Sequence, residues 1–294
     1  MTNAEGAARS LIPWRLGYVA LDVDDLSAAV RWWTKFGQLE VSEQSANSVS
    51  LRGGTDHHWL MLHRTEGTPG VRRMAFEVRD RGDLDAYRDR LKNEGVAVTD
   101  HPGDRTGDAI RFSDPDGYSI ELFADMGNIG IEPTTPWINP TELLHAVVAV
   151  SDLNASVDFY GRVLGLLESD QVLGKTVFLR AGNGFHHALV LAVGRGAPPL
   201  LDHVALHLRD VDDLMRVRQN LIENADGEPF DRDLLRHPTS GSMGFYAKGP
   251  GGVPLSVEFC IEHGKITDPD HRPRAMAPGR WTSNVWRPPV DADA

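Results

Sequence analysis

The sequence predicts an α+β protein of two domains, each made of two βαβββ modules whose strands curl into a half-open barrel with the helices outside. The prediction rests on a long internal repeat, period-two alternation at the head of each unit, and an amphipathic helix following it. YVALDVDDLSAAVRWWTKFGQLEV from Tyr18 aligns with HAVVAVSDLNASVDFYGRVLGLLES from His145, an offset of 127 residues. HHWLMLHR from His57 matches HHALVLAV from His186, and MAFEVRDRGDLDAYRDRL from Met74 matches VALHLRDVDDLMRVRQNL from Val204. IRFSDPDGYSIELF and MGFYAKGPGGVPLSVEF close the two copies, and by Glu121 and Glu258 the offset has grown to 137. Small loop insertions produce such a drift, so the chain is read as a duplicated domain.

Within the first copy, LGYVALDV alternates as a half-buried strand. The following helix carries apolar Leu26, Ala29, Val30 and Trp33 at helical spacing, with Asp24 or Asp25 as N-cap and Gly37 as stop. VSLRG and HWLMLHR read as short strands around Gly53 and Gly54. A second unit starts at Met74, its helix opened by Asp83 and Leu84 and closed by Gly95. VAVTD, IRFSD and YSIELF follow as strands, the last two joined by the Asp114-to-Gly117 turn. The second copy repeats both units. Met126 to Pro140, with Pro133, Pro136 and Pro140, is read as the linker, which sets domains of 1–132 and 133–294. The stretch after Glu262, rich in Pro and Arg, reads as an irregular tail.

Composition narrows the function. The net charge of −12 argues against a nucleic-acid partner, which needs a basic footprint. No run approaches the roughly 18 apolar residues of a membrane span, and MTNAEGAARSLIPW lacks the apolar core of a signal peptide. A single cysteine, Cys260, excludes an internal disulfide framework and fits a reducing cytoplasm. It reads as a small buried apolar residue.

The chemistry-bearing residues lie in the second copy. His145 in LLHAVVAV, His203 in LLDHVALHL and Glu258 in PLSVEF fall on three different strands. Two histidines and one carboxylate can cap one face of an octahedral ion and leave the other face open, the ligand set of non-heme Fe(II) oxygenases. A lone histidine on an apolar strand is more often a satisfied core residue, and it is the equivalent strand positions of the three that point to ligation. His207 competes with His203, but at about 3.3 Å per residue the two stand about 13 Å apart and cannot share an ion. His186 and His187 point to opposite faces, so one of them reaches the site, and His187 is the choice. In the first copy Tyr18 and Arg73 stand at the two histidine places and Glu121 remains as a relic, which argues against a second metal site there. The His57–His58 pair is expected to pack or meet solvent.

With these residues in view, the chain resembles the type I extradiol catechol dioxygenases of the vicinal oxygen chelate superfamily, the ring-cleaving group that includes 2,3-dihydroxybiphenyl dioxygenases. The likeness spans nearly the whole length, with the specific motifs between about residues 143 and 260. It implies the vicinal oxygen chelate fold, with His145, His203 and Glu258 as metal ligands. His187 resembles the family's acid-base histidine. His237, nine residues before Tyr246, and Tyr246 itself in Phe245-Tyr246-Ala247-Lys248-Gly249-Pro250-Gly251-Gly252 resemble its substrate-holding groups. The hairpin has two residues more than is usual before Glu258, Phe259-Cys260 replaces Tyr-Gly after it, and Pro238-Thr239-Ser240-Gly241 departs from the family's loop.

The resemblance implies Fe(II), with Mn(II) also compatible, and a small aromatic diol and O2 as partners. Both oxygen atoms would enter the ring-opened semialdehyde, in aromatic catabolism. A cytoplasmic homo-oligomer with no nucleic-acid or membrane partner is expected. Two alternatives share the fold. A metal-dependent isomerase or thiol transferase of the glyoxalase or fosfomycin-resistance kind would build its site from both repeats, often with more carboxylates. A sequestering protein of the bleomycin-resistance kind would carry no ligand triad.

Overall fold

The computed structural model describes residues 11–250, 253–268 and 270–287. Met1 to Ser10, part of the N-terminal stretch without a signal-peptide pattern, and Gly251 and Gly252 of the hairpin lie outside them. Four βαβββ modules follow in chain order. The first comprises β1 (Arg15–Val23), α1 (Leu26–Lys35), β2 (Glu40–Gln44), β3 (Ser48–Arg52) and β4 (Leu60–Arg64). The second is β5 (Gly70–Glu77), α2 (Asp83–Asn93), β6 (Thr99–His101), β7 (Ala109–Ser113) and β8 (Ser119–Phe123). The third is β9 (Glu142–Ala149), α3 (Leu153–Phe159), β10 (Leu167–Val172), β11 (Thr176–Arg180) and β12 (Leu189–Ala192). The fourth is β13 (Leu201–His207), α4 (Val211–Asn224), β14 (Phe230–Arg236), β15 (Met243–Lys248) and β16 (Ser256–Ile261).

The helices form where the sequence pattern places them. Asp25 caps α1 through Ala28 N, Asp152 caps α3 through Ala155 N and Asp210 caps α4 through Asp213 N. Leu26, Ala29 and Trp33 turn one buried face of α1 onto the sheet. After α3 the chain widens into a π-helical turn, Tyr160–Leu164, ended by Gly165 at φ 77°. A Cβ there would meet Leu11 O, so both the left-handed backbone and the close approach require glycine.

Each copy makes one sheet, in the orders β2-β3-β4-β1-β5-β8-β7-β6 and β14-β15-β16-β13-β9-β12-β11-β10. The central register is the same in both. Tyr18 faces Ala75, which faces Glu121; His145 faces Ala205, which faces Glu258. A slip of one residue would turn these side chains to the opposite face, so the shared register fixes what each sheet presents. The residues between Phe123 and Glu142 join the sheets without a strand or helix of their own, and we propose the domain boundary there, at 132/133.

The halves are not independent beads. Tyr160 OH donates to Asp114 Oδ2 at 2.8 Å, Tyr87 OH to Leu164 O at 2.8 Å and Tyr118 OH to Ala149 O at 2.7 Å. One contiguous apolar cluster runs from Leu16 and Trp33 through Tyr118 and Ile138 to Phe245 and Phe259.

The tail differs from the sequence reading. Arg274–Met276 forms β17, which adds to the second sheet in parallel beside β10. Arg274 donates through its backbone N and Nε to Asp170 Oδ1, each at 2.9 Å, and His271 reaches Ser169 O at 2.8 Å. Only three residues pair, too short a run to show alternation, and the buried carboxylate that anchors them is 104 residues away in sequence.

A candidate metal centre

The shared register brings His145 of β9, His203 of β13 and Glu258 of β16 together on one face of the second sheet. His145 Nε2 lies 3.2 Å from Glu258 Oε2, His203 Nε2 lies 3.4 Å from the same oxygen, and the two nitrogens are 3.4 Å apart. All three side chains are buried. His203 Nδ1 is 2.7 Å from Asp202 Oδ2 and donates to it, so its Nε2 carries a lone pair aimed at Glu258. Asp202, next to His203 in sequence, was not singled out from the sequence. Burial would raise its carboxyl, but the hydrogen bond from His203 together with the neighbouring charges, Arg195 and Arg232 among them, holds it down at about 2.

These donors fit a divalent cation. On one face of an octahedron with bonds of about 2.1 Å, neighbouring donors stand about 3 Å apart. With His203 locked by Asp202, a lone pair and a carboxylate oxygen confront each other in a buried place, and the single proton His145 can offer does not satisfy both. A cation satisfies all three, and Asp202 behind His203 is the carboxylate support common behind metal-bound imidazoles. Glu258 Oε1 and His145 Nδ1 have no hydrogen-bond partner among the described residues.

The other sequence-selected residues surround this trio. His187 packs on His145 at 4.2 Å between ring centroids. His186 points away from the cavity, and its Nε2 donates to Asp170 Oδ2 at 2.8 Å while its Nδ1 meets His187 Nδ1 at 2.9 Å. His186 is thus held between the Asp170 carboxylate and His187, and the two Nδ1 atoms share one proton across their contact. Burial, then the proximity of His145 and His263, pushes His187 well below the usual imidazole range, so it is neutral at pH 7. His237 Nε2 is 2.8 Å from Tyr246 OH and 3.6 Å from Glu258 Oε1. Tyr246 is pushed above its ordinary range by burial and then by Glu258, so it stays protonated as a donor. His207 is elsewhere, with Nδ1 2.7 Å from Thr141 Oγ1.

A cavity of about 280 Å³ opens from these residues. Val147, Phe178, Val190 and Ala192 form its apolar wall, and Thr239, Ser242 and Thr282 bring hydroxyls. Trp281 itself is exposed while its neighbours line the mouth. The two additional hairpin residues are absorbed before β16, since Tyr246 still pairs with Glu258 across β15 and β16. Sequence reasoning missed His263, buried 4.5 Å from the His187 ring with neither nitrogen partnered among the described residues. It also missed Arg232, opposite Tyr246 in register.

The first domain holds the same geometry in a closed form. Tyr18 OH donates to Glu121 Oε1 at 2.7 Å and accepts from Arg73 Nε at 3.1 Å. Arg73 lies 2.7 Å from Asp104 and 3.6 Å from Glu121, and Arg111 binds Glu121 at 2.5 Å. Oxygens of Asp104 and Glu121 and a nitrogen of His101 gather within 4.8 Å, but guanidinium groups already neutralise both carboxylates. His58, the counterpart of His187, is buried against Tyr18 at 4.6 Å. Replacing Arg73 with Met is expected to cost about 2–3 kcal/mol of stability, less than the full cost of stranding a buried charge because Arg111 remains. Urea unfolding at neutral pH measures it, and the metal content should not change.

Burial holds His145 down at about 4 and His58 at about 3, against 6.5 when solvated. The unfolded chain therefore takes up protons below about pH 6.5 that the folded metal-free chain refuses, and folding stability falls with falling pH until these lower values are reached. Glu258, held well below 4.5 against its burial chiefly by the hydrogen bond from His145, adds stability that is lost at still lower pH. The melting temperature of metal-free protein is expected to drop steadily from pH 7 to pH 5. A flat profile would contradict the assignment.

Residues 15–122 and 142–257 match the family described as the Glyoxalase/Bleomycin resistance protein/Dioxygenase superfamily. The chain belongs to that superfamily. Among curated relatives, the biphenyl-2,3-diol 1,2-dioxygenase of Paraburkholderia xenovorans (strain LB400) is 27% identical over 270 residues, covering 83% of this chain and 86% of the relative. The manganese-dependent 2,3-dihydroxybiphenyl 1,2-dioxygenase of Geobacillus genomosp. 3 is 25% identical over 293 residues, 88% of each chain. The crystal structure of an Mn(II)-bound glyoxalase from Novosphingobium aromaticivorans superposes with a TM-score of 0.83 at 26% identity, over 94% of this chain and 91% of that one. Within the superfamily fold, the described residues include no helix long and apolar enough to cross a membrane.

Proposed function

We propose that this superfamily member is an extradiol ring-cleaving dioxygenase that opens a catechol-type ring with O2 at a divalent metal held by His145, His203 and Glu258. The observation that carries the reading is the convergence of these three donors, beside His187, His237 and Tyr246, at the inner end of an apolar cavity. The relatives named as ring-cleaving dioxygenases support it. The metal is Fe(II) or Mn(II), since both accept this ligand set and both a relative and a structural neighbour are described with manganese.

A metal held by His145, His203 and Glu258 would supply Lewis acidity toward the diol and a route for electrons to O2. The chain's own residues do the rest. The wall of Val147, Phe178 and Val190 receives the ring and excludes water. Tyr246 and His237 hold a substrate oxygen and stabilise charge developing on it. His187, neutral by burial and facing the cavity, takes a proton from the diol side and returns it as the ring opens. A cytoplasmic homo-oligomer belongs to the same proposal.

The Mn(II)-bound glyoxalase neighbour gives a second reading, a metal-dependent isomerase. All three donors here come from one domain, and Arg73 fills the corresponding place in the other, which favours the dioxygenase. Anaerobic reconstitution with Fe(II) or Mn(II), then air with catechol, 3-methylcatechol and 2,3-dihydroxybiphenyl, is expected to give a yellow ring-opened product that needs both metal and oxygen. Metal binding with no product, and turnover of a glutathione hemithioacetal instead, would favour the isomerase.

A further inference from the structure

The chain carries 42 acidic and 30 basic residues, yet its cavity reverses that balance. Lys175, Arg195 and Arg232 line it, and Glu258, assigned to the metal, is the one carboxylate among the described lining residues. Arg232 is the innermost of the three by its contacts. Its guanidinium carbon stands 3.7 Å from the centre of the Tyr246 ring, and the other side of that contact chain is the His203 ring, edge-on to Tyr246 at 4.9 Å. Arg232 is half-buried and makes no salt bridge among the described residues, its one carboxylate influence being Asp202, which it shares with Arg195 and His203. Arg195 is partly spent on Asp202, at 3.3 Å, and Lys175 is exposed at the rim without a side-chain partner among the described residues.

A half-buried guanidinium with no carboxylate in direct contact keeps its hydrogen-bond fork free, and that planar fork matches a carboxylate. Its stacking on Tyr246 fixes its height above the site, about one aromatic ring from the metal ligands. The two outer cations add a positive field at the mouth, where low-dielectric walls focus it.

We infer that the substrate is a catechol bearing an anionic substituent, a carboxylate on the ring or on a short side chain, which Arg232 binds while Lys175 and Arg195 steer it inward. This inference rests on the dioxygenase reading and names its substrate class. A charge-assisted pair in a partly desolvated place gives a preference of about tenfold to a hundredfold.

The test compares kcat/KM of the metal-loaded protein for 3,4-dihydroxybenzoate, 2,3-dihydroxybenzoate and 3-(3,4-dihydroxyphenyl)propionate with that for 3- and 4-methylcatechol. At least one carboxylated ring is expected to be preferred by about tenfold or more, with the preference shrinking as salt rises. In Arg232→Met the ratio of anionic to neutral kcat/KM should collapse towards one, and Lys175→Gln should reduce it severalfold. A wild-type preference for the neutral rings, or a ratio that Arg232→Met leaves intact, overturns the inference. If no catechol of either kind is cleaved, the reaction reading fails. Anaerobic equilibrium binding of the same rings then decides the charge reading by itself: tighter binding of the carboxylated ring, lost in Arg232→Met, upholds it, and equal affinities overturn it.

Discussion

Replacing His145 with Ala is expected to strip the protein of stoichiometric divalent metal while leaving it folded. Three donors meet around one point, and removing one leaves two ligands for an ion that binds through a face of three. Loss of a supporting group behind a ligand costs about 10- to 100-fold in affinity, and loss of the ligand itself should exceed that. The fold should survive because the costs oppose each other. Truncation opens a buried cavity, worth a few kcal/mol at most. It also removes a ring nitrogen, Nδ1, that is buried without a partner and costs about 1–3 kcal/mol to keep dry. Metal analysis after anaerobic loading, with circular dichroism on the same sample, checks both halves. Full metal occupancy in His145→Ala would overturn the ligand set.

His187→Phe is expected to behave in the opposite way, retaining metal and losing turnover. The side chain packs on His145 and faces the cavity but is not one of the three converging donors. Phe preserves the aromatic contact and approximate volume and cannot move a proton. General acid–base groups contribute about 10²- to 10⁴-fold, and kcat should fall within that range. The substitution also leaves His186 Nδ1 without its 2.9 Å partner, a cost to stability and not to metal binding. Metal loss in this variant, or undiminished kcat, would remove His187 from the proposed role.

The fold was legible because the chain states it twice. The matching runs at Tyr18 and His145, and at Met74 and Val204, gave the modules, and period-two alternation carried the faces of their strands. The same periodicity made His145, His203 and Glu258 readable as a set, since a common register needs only equivalent strand positions. What stayed hidden depends on contacts between segments distant in sequence. Asp170 meets Arg274 through the docking of β17, and nothing in three paired residues announces that. Arg232 enters the site through its cross-strand position opposite Tyr246, in a β14 whose pairing is interrupted by two irregularities that scramble alternation. His263 lies beyond the end of β16, where no strand period applies. Arg73 was readable as a departure from histidine, but only the structure shows its guanidinium already bonded to Asp104 and Tyr18 where the other domain gathers ligands.

The most direct test of the account is the stoichiometry of oxygen uptake by anaerobically metal-loaded protein given a limiting amount of a catechol it turns over. One O2 should be consumed per ring opened, with no hydrogen peroxide released and no uptake by the His145→Ala protein. Oxygen consumed with release of peroxide and formation of quinone, or metal bound with no oxygen consumed for any catechol, would contradict it.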